Sequence, residues 1–151
     1  MSLSDAENSC LSALLDEVIP PSPDGVMPGA GEIGLADRLA DELGSKPDAL
    51  AALRDGLGAL DVAARDECGT VFAALGRDDR KRILARVGEA QPGLVPGLLF
   101  PTFVGYYEHP RVLVGLGLEP RPPHPGGYEL EPFDESLLEG VRKGARLYRD
   151  C

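Results

Sequence analysis

Residues 29–34 read Gly29-Ala30-Gly31-Glu32-Ile33-Gly34, the G-x-G-x-x-G spacing that wraps backbone amides around the pyrophosphate of a dinucleotide. Such glycines serve a nucleotide only when a buried strand delivers the loop and a helix starts at its end. Downstream, Ile33, Leu35, Ala36, Leu39, Ala40 and Leu43 recur three and four apart, as in a helix, and Gly44 supplies a stop signal. Upstream the requirement fails. Pro20, Pro21, Pro23 and Pro28 precede the loop, and proline cannot donate to a sheet ladder and fixes φ near turn and polyproline values. No strand feeds the loop. The stretch reads as a Pro/Gly connector that hands over to a helix, and a dinucleotide-binding sheet is set aside.

Working outward, helical signals continue on both sides. Ser4-x-x-Glu7 is a capping box, followed by Leu11, Leu14, Leu15, Val18 and Ile19 at helical spacing until the double proline. Ser45-Lys46-Pro47-Asp48 offers a cap, an early proline and a first-turn acid to a third helix carrying Leu50, Leu53, Leu57 and Leu60. Gly56 and Gly58 weaken that helix and point to close packing against a neighbour. Residues 61–75 read as helical but broken at Cys68-Gly69-Thr70. The next helix opens with Arg77-Asp78-Asp79-Arg80-Lys81-Arg82, a mixed-charge run expected to be a solvated face, buries Ile83, Leu84 and Val87, and ends at Gly88.

Residues 94–107 form the most apolar segment and are expected to be the central helix, kinked at Pro101, with core bulk from Phe100, Phe103, Tyr106 and Tyr107. From Glu108 to Phe133 the chain is rich in proline and glycine and reads as irregular; only Val112-Leu113-Val114 resembles a strand. Asp134-Glu135-Ser136 then caps a last helix whose face is Leu137, Leu138, Val141, Ala145 and Tyr148. The expected fold is all-α: one domain over residues 1–151, a bundle of about six helices, with a family-like core over 11–110, a Pro/Gly-rich arm over 111–133 and a C-terminal helix over 134–149.

Composition limits what such a bundle does. Fifteen basic against twenty-five acidic side chains give a formal charge of −10. Residues 1–50 alone hold ten acids and two bases. A surface of this sign repels nucleic acid and anionic membranes. No apolar run approaches the ~20 residues of a membrane span. Three dispersed cysteines, Cys10, Cys68 and Cys151, suit a reducing compartment. The N-terminus carries no basic or apolar leader, so a cytoplasmic location is expected.

Catalytic constellations are missing. There is no H-E-x-x-H, no G-x-S-x-G, and neither His109 nor His124 has a glutamate three residues before it. A Cys68–His109 pair is conceivable in space, but a small buried cysteine is the simpler reading. The adjacent acids Asp16-Glu17, Asp41-Glu42 and Asp78-Asp79 point about 100° apart on a helix and do not converge on a substrate. No catalytic, metal or cofactor-binding residues are expected.

Several pieces, in order, carry a resemblance: Leu11–Pro20 with its helix-then-proline ending, Pro28-Gly29-Ala30 and Gly34, Gly56–Asp61, Phe72–Leu75 before Asp78-Asp79-Arg80, and Val104–Pro110. Over residues 11 to about 110 the chain resembles the gluconate 2-dehydrogenase subunit 3 family, small helical partners of membrane-associated, FAD-dependent sugar and alcohol dehydrogenases. The resemblance implies a non-catalytic, chaperone-like subunit that stabilises a large flavoprotein dehydrogenase subunit, where the flavin resides. Members are typically exported by the twin-arginine route; this sequence lacks that signal. The residues past His109 also depart from the family's pattern.

Aromatic side chains beside proline and arginine are favoured interface anchors, so Tyr106, Tyr107, His109, Arg111 and Tyr128 are the expected partner contacts. The alternative for the tyrosine pair is half-buried core with satisfied hydroxyls. The alternative for the whole chain is a self-contained helical protein that takes a small apolar ligand between the kinked helix and the Pro-rich segment.

Overall fold

A computed structural model of the chain describes residues 3–120 and 132–144. They belong to two units, residues 1–121 and 122–151. Among the described residues there are helices and no strand.

In the first unit, helix α1 (Asp5–Val18) begins with the expected capping box: the Ser4 hydroxyl accepts from the Glu7 amide, and the Glu7 carboxylate accepts from the Ser4 amide at 2.7 Å. That bond holds the Glu7 carboxyl below its ordinary value of 4.5. Ser4→Ala should cost about 1 kcal/mol, a fall in Tm of roughly 2–4 °C in a calorimetric scan. Because the Glu7 pKa is lowered on folding, its contribution is present above the unfolded value and lost as pH falls through the folded one. Glu7→Gln and the parent should therefore converge in acid.

The Pro-rich loop after α1 leads through a 3-10 turn (Gly31–Ile33) into α2 (Leu35–Gly44), with Gly34 between them in the left-handed region at φ 73°. Helix α3 (Pro47–Cys68) is one continuous helix of 22 residues that ends on left-handed Gly69. Ser45 does not cap it; its hydroxyl donates to the Glu42 carbonyl, and Pro47 starts the helix after Lys46. A 3-10 turn (Phe72–Ala74) follows, anchored by Asp61, which accepts the Phe72 amide at 3.0 Å. Helix α4 (Arg77–Ala90) runs past Gly88, because Pro92 rather than glycine sets the end by pushing Gln91 out of helical geometry. Helices α5 (Leu94–Glu108) and α6 (Pro110–Gly115) complete the unit.

Helix α1 is the hub. It packs against α2, α3, α4, α5 and both 3-10 turns, and Leu11, Leu14 and Leu15 have no exposed surface. The opposing surfaces supply Leu35 and Leu39 from α2, Leu57 and Leu60 from α3, Phe72, and Ile83 from α4. The expectation that α5 is central is corrected: Phe100 is 78 % exposed, and Phe103 and Tyr107 also face outward.

Two further expectations change. Residues 110–115 are helical, neither irregular nor strand, since Pro110 occupies the first helical turn, where its missing amide has no bond to make. The charged opening of α4 is only partly solvated: Arg77 and Arg80 reach Glu17 on α1, whose side chain is 6 % exposed, while Arg82 and Arg86 reach Glu67 on α3. Of the two α3 glycines, only Gly56 is a close approach, with a Leu94 methyl where its Cβ would stand; Gly58 faces open space.

In the second unit, the Asp134 carboxylate accepts the Ser136 amide at 2.9 Å, as expected of a cap. A 3-10 turn (Glu135–Leu138) and a short helix α7 (Glu139–Lys143) follow. Phe133 is exposed, as are Leu137 and Val141 of the expected apolar face. Ala145 and Tyr148 lie outside the described residues.

Candidate docking surface

The Gly-rich stretch of residues 29–34 cradles a carboxylate of its own chain. The Gly31 amide donates to Asp16 Oδ1 at 2.7 Å. A Cβ on Gly31 would stand closer than 3.0 Å to the Ser12 carbonyl and to Asp16, and one on Gly29 would meet Asp16 as well. Burial pushes the Asp16 carboxyl up, partly opposed by the Gly31 amide. The position a pyrophosphate needs is filled by Asp16, so these residues do not fit a dinucleotide. The glycines exist for a close approach of loop to α1.

Among the described residues no group of three or more His, Cys, Asp or Glu converges as metal ligands. The Cys68 sulfur faces Arg82 at 3.6 Å, and His109 Nδ1 accepts the Arg111 amide at 3.3 Å, so the structure gives these two side chains separate partners. Cys10 is buried, and desolvation pushes its thiol up to about 12, which leaves no thiolate at neutral pH.

What the fold presents instead is one side of α5. The helix is apolar around its circumference, and such a helix is normally enclosed. Here Leu98, Thr102, Gly105 and Tyr106 point inward, and Phe100, Phe103, Val104 and Tyr107 point outward. Small residues explain which side was chosen. A Cβ on Gly105 would stand 2.7 Å from Leu35 Cδ2, so only glycine lets α5 approach α2 so closely at this point. Outside, Phe103 and Tyr107 stack with ring centroids 6.4 Å apart and planes 9° from parallel. Rings one helical turn apart hold each other in a fixed pose, so little rotamer freedom remains to be lost on binding.

The expected contact residues separate. Tyr106 is 2 % exposed; its hydroxyl donates to the Pro28 carbonyl at 2.8 Å, and burial pushes the phenol above its ordinary value. It is a core residue that ties α5 to the Pro-rich loop and meets Tyr107 edge-on at 5.3 Å. Tyr107 is exposed beside it. His109 is half-buried and caps α6, and Arg111 is exposed on α6. Tyr128 lies outside the described residues. Phe100, Phe103 and Val104 were not among the expected contacts.

Two concavities adjoin these elements. One, of about 380 Å³, lies between α3 and the start of α5 and is lined by Leu43, Ala52, Leu53, Gln91, Leu94 and Leu98. The other is a shallow depression of about 490 Å³ lined by Val26, Pro110, Arg111, Val114, Gly115 and Pro120.

The family model for gluconate 2-dehydrogenase subunit 3 matches residues 5–114, from the first residue of α1 into α6. The chain belongs to the gluconate 2-dehydrogenase subunit 3 family. No curated protein and no solved structure matches the chain. The family's name makes its members subunits of a dehydrogenase, and the matched stretch contains the whole of α5 with its bare face. The second unit lies beyond the match. No helix among the described residues is long and apolar enough to cross a membrane.

Proposed function

We propose that this chain is a non-catalytic, chaperone-like accessory subunit that binds and stabilises a large FAD-dependent dehydrogenase subunit of the gluconate, sugar or alcohol type. One observation carries the reading: a helix apolar on all sides leaves Phe100, Phe103, Val104 and Tyr107 uncovered while the core behind it is closed. Aromatic side chains held rigid on an exposed helix are the usual hot spots of protein interfaces. Tyr107 and Arg111 are contacts; Tyr106 and His109 act from behind by fixing α5 and α6. The free thiols of Cys10 and Cys68 suit assembly in the reducing cytoplasm.

The alternative of a small apolar ligand finds support in the cleft at the start of α5, at the opposite end of that helix from the Pro-rich segment. One experiment separates the readings. The tagged full chain, recovered gently from its native host, should bring a yellow partner with the absorbance of bound flavin. Recovery alone, with an apolar small molecule detected by native mass spectrometry, would instead support the cleft.

A further inference from the structure

Nine arginines lie among the described residues, and eight of them pair with a carboxylate. Arg111 has no such partner among the described residues, although the chain carries a formal charge of −10 and acids are plentiful. Its surroundings are apolar. The depression it borders is walled by Val26, Pro110, Val114 and Pro120, and Val26 and Val114 are more than half exposed.

The walls are firmly set. Val26 stands on a loop closed by the Ser22 amide on the Met27 carbonyl at 2.9 Å and by the Met27 amide on the Ser22 hydroxyl at 2.9 Å. A Cβ on Gly115 would stand 2.7 Å from the Met27 sulfur, so α6 lies directly against that loop. An arginine on the border of an apolar depression suits a carboxylate. Its guanidinium fork can bind both oxygens, and a partner docked over the apolar walls would exclude water that otherwise weakens the pair.

We infer that this depression seats an Asp or Glu side chain, flanked by an apolar residue, on the surface of the partner subunit. The inference rests on the docking reading above and adds a polar key to its apolar face. A single cation among apolar walls supplies register and selectivity, because a partner presenting no acid there leaves Arg111 desolvated and unpaired.

The test titrates the flavin-bearing partner, recovered with the full chain, against variants at low and at physiological salt. Arg111→Gln should weaken binding about tenfold and remove most of its salt sensitivity, and Arg111→Glu should weaken it about 100-fold. Arg111→Lys should keep the salt sensitivity and recover part of the affinity. Melting temperatures should not move, because the guanidinium pairs with no carboxylate among the described residues. Arg111→Glu binding like the parent, while substitutions on the α5 face abolish binding, overturns the carboxylate seat and leaves the docking reading standing. Neither set of variants mattering overturns both.

Discussion

Gly31→Ala should lower stability by about 3 kcal/mol, roughly 6–12 °C in Tm, and leave nucleotide affinity immeasurable in the variant and the parent alike. The methyl group would meet the Ser12 carbonyl, which belongs to the backbone of the hub helix and cannot rotate away, and it would press on Asp16 from the same side. Relief requires the loop to lift from α1. That strains the Gly31–Asp16 hydrogen bond and leaves a carboxylate in a partly desolvated place without its donor. Gly34→Ala is the control. Gly34 has open space around it, and its cost is only that of holding alanine in the left-handed region at φ 73°, about 1–2 kcal/mol. If Gly31→Ala melted like the parent, the loop would not be packed on α1 as described. A nucleotide loop would show the opposite pattern, with binding lost and stability kept.

The second large effect is on association. Phe103→Gln combined with Tyr107→Gln should weaken capture of the dehydrogenase subunit at least about 100-fold while changing the chain's own stability by less than about 0.5 kcal/mol per site. The two effects separate because both rings are outside the core: Phe103 is 42 % and Tyr107 51 % exposed, and they stack on each other there. Glutamine keeps helix propensity and adds no charge, so a change in binding reports the lost apolar surface. Titration calorimetry or interferometry against the purified partner gives the affinity, and thermal melting of the chain alone gives the control. Undiminished affinity would move the docking surface off α5. A parent chain that elutes as a dimer, and a double variant that elutes as a monomer, would assign the face to a second copy instead.

Much of the architecture was legible from local chemistry. The Ser4–Glu7 capping box, the proline at the start of α3, left-handed Gly69 and the Asp134 cap all act within a few residues of themselves, so sequence alone places them. The rejection of a nucleotide loop was equally local, since four prolines upstream cannot make a strand whatever surrounds them. The errors arose where local signals compete. Gly88 carries a stop signal, but glycine only weakens a helix, whereas Pro92 ends one by sterics. Val112-Leu113-Val114 has β-branched character, yet the proline just before it presets helical φ.

The candidate site was legible as a segment and illegible as a face. With apolar residues on every side of α5, periodicity has no preferred direction, and the order of side chains from 94 to 108 gives equal reason to bury Phe100 or Leu98. A clue was present in Thr102 and Gly105, small residues three apart that mark where another helix comes close. Tyr106, adjacent to Gly105, follows them inward, and Phe103 and Tyr107 are left on the far side.

The amino-acid order by itself determined that this chain is helical, where most helices begin and end, that its glycine loop is no nucleotide site, and which family it joins. These follow from caps, proline sterics and the spacing of apolar residues, all of which act over a few positions along the chain. Only the tertiary structure decided that α1 rather than α5 is enclosed, that Asp16 fills the loop, that Tyr106 is core while Tyr107 is surface, and that Arg111 stands without a carboxylate partner among the described residues. Those outcomes depend on which surfaces meet across dozens of residues, and burial is a property of the neighbour as much as of the residue itself.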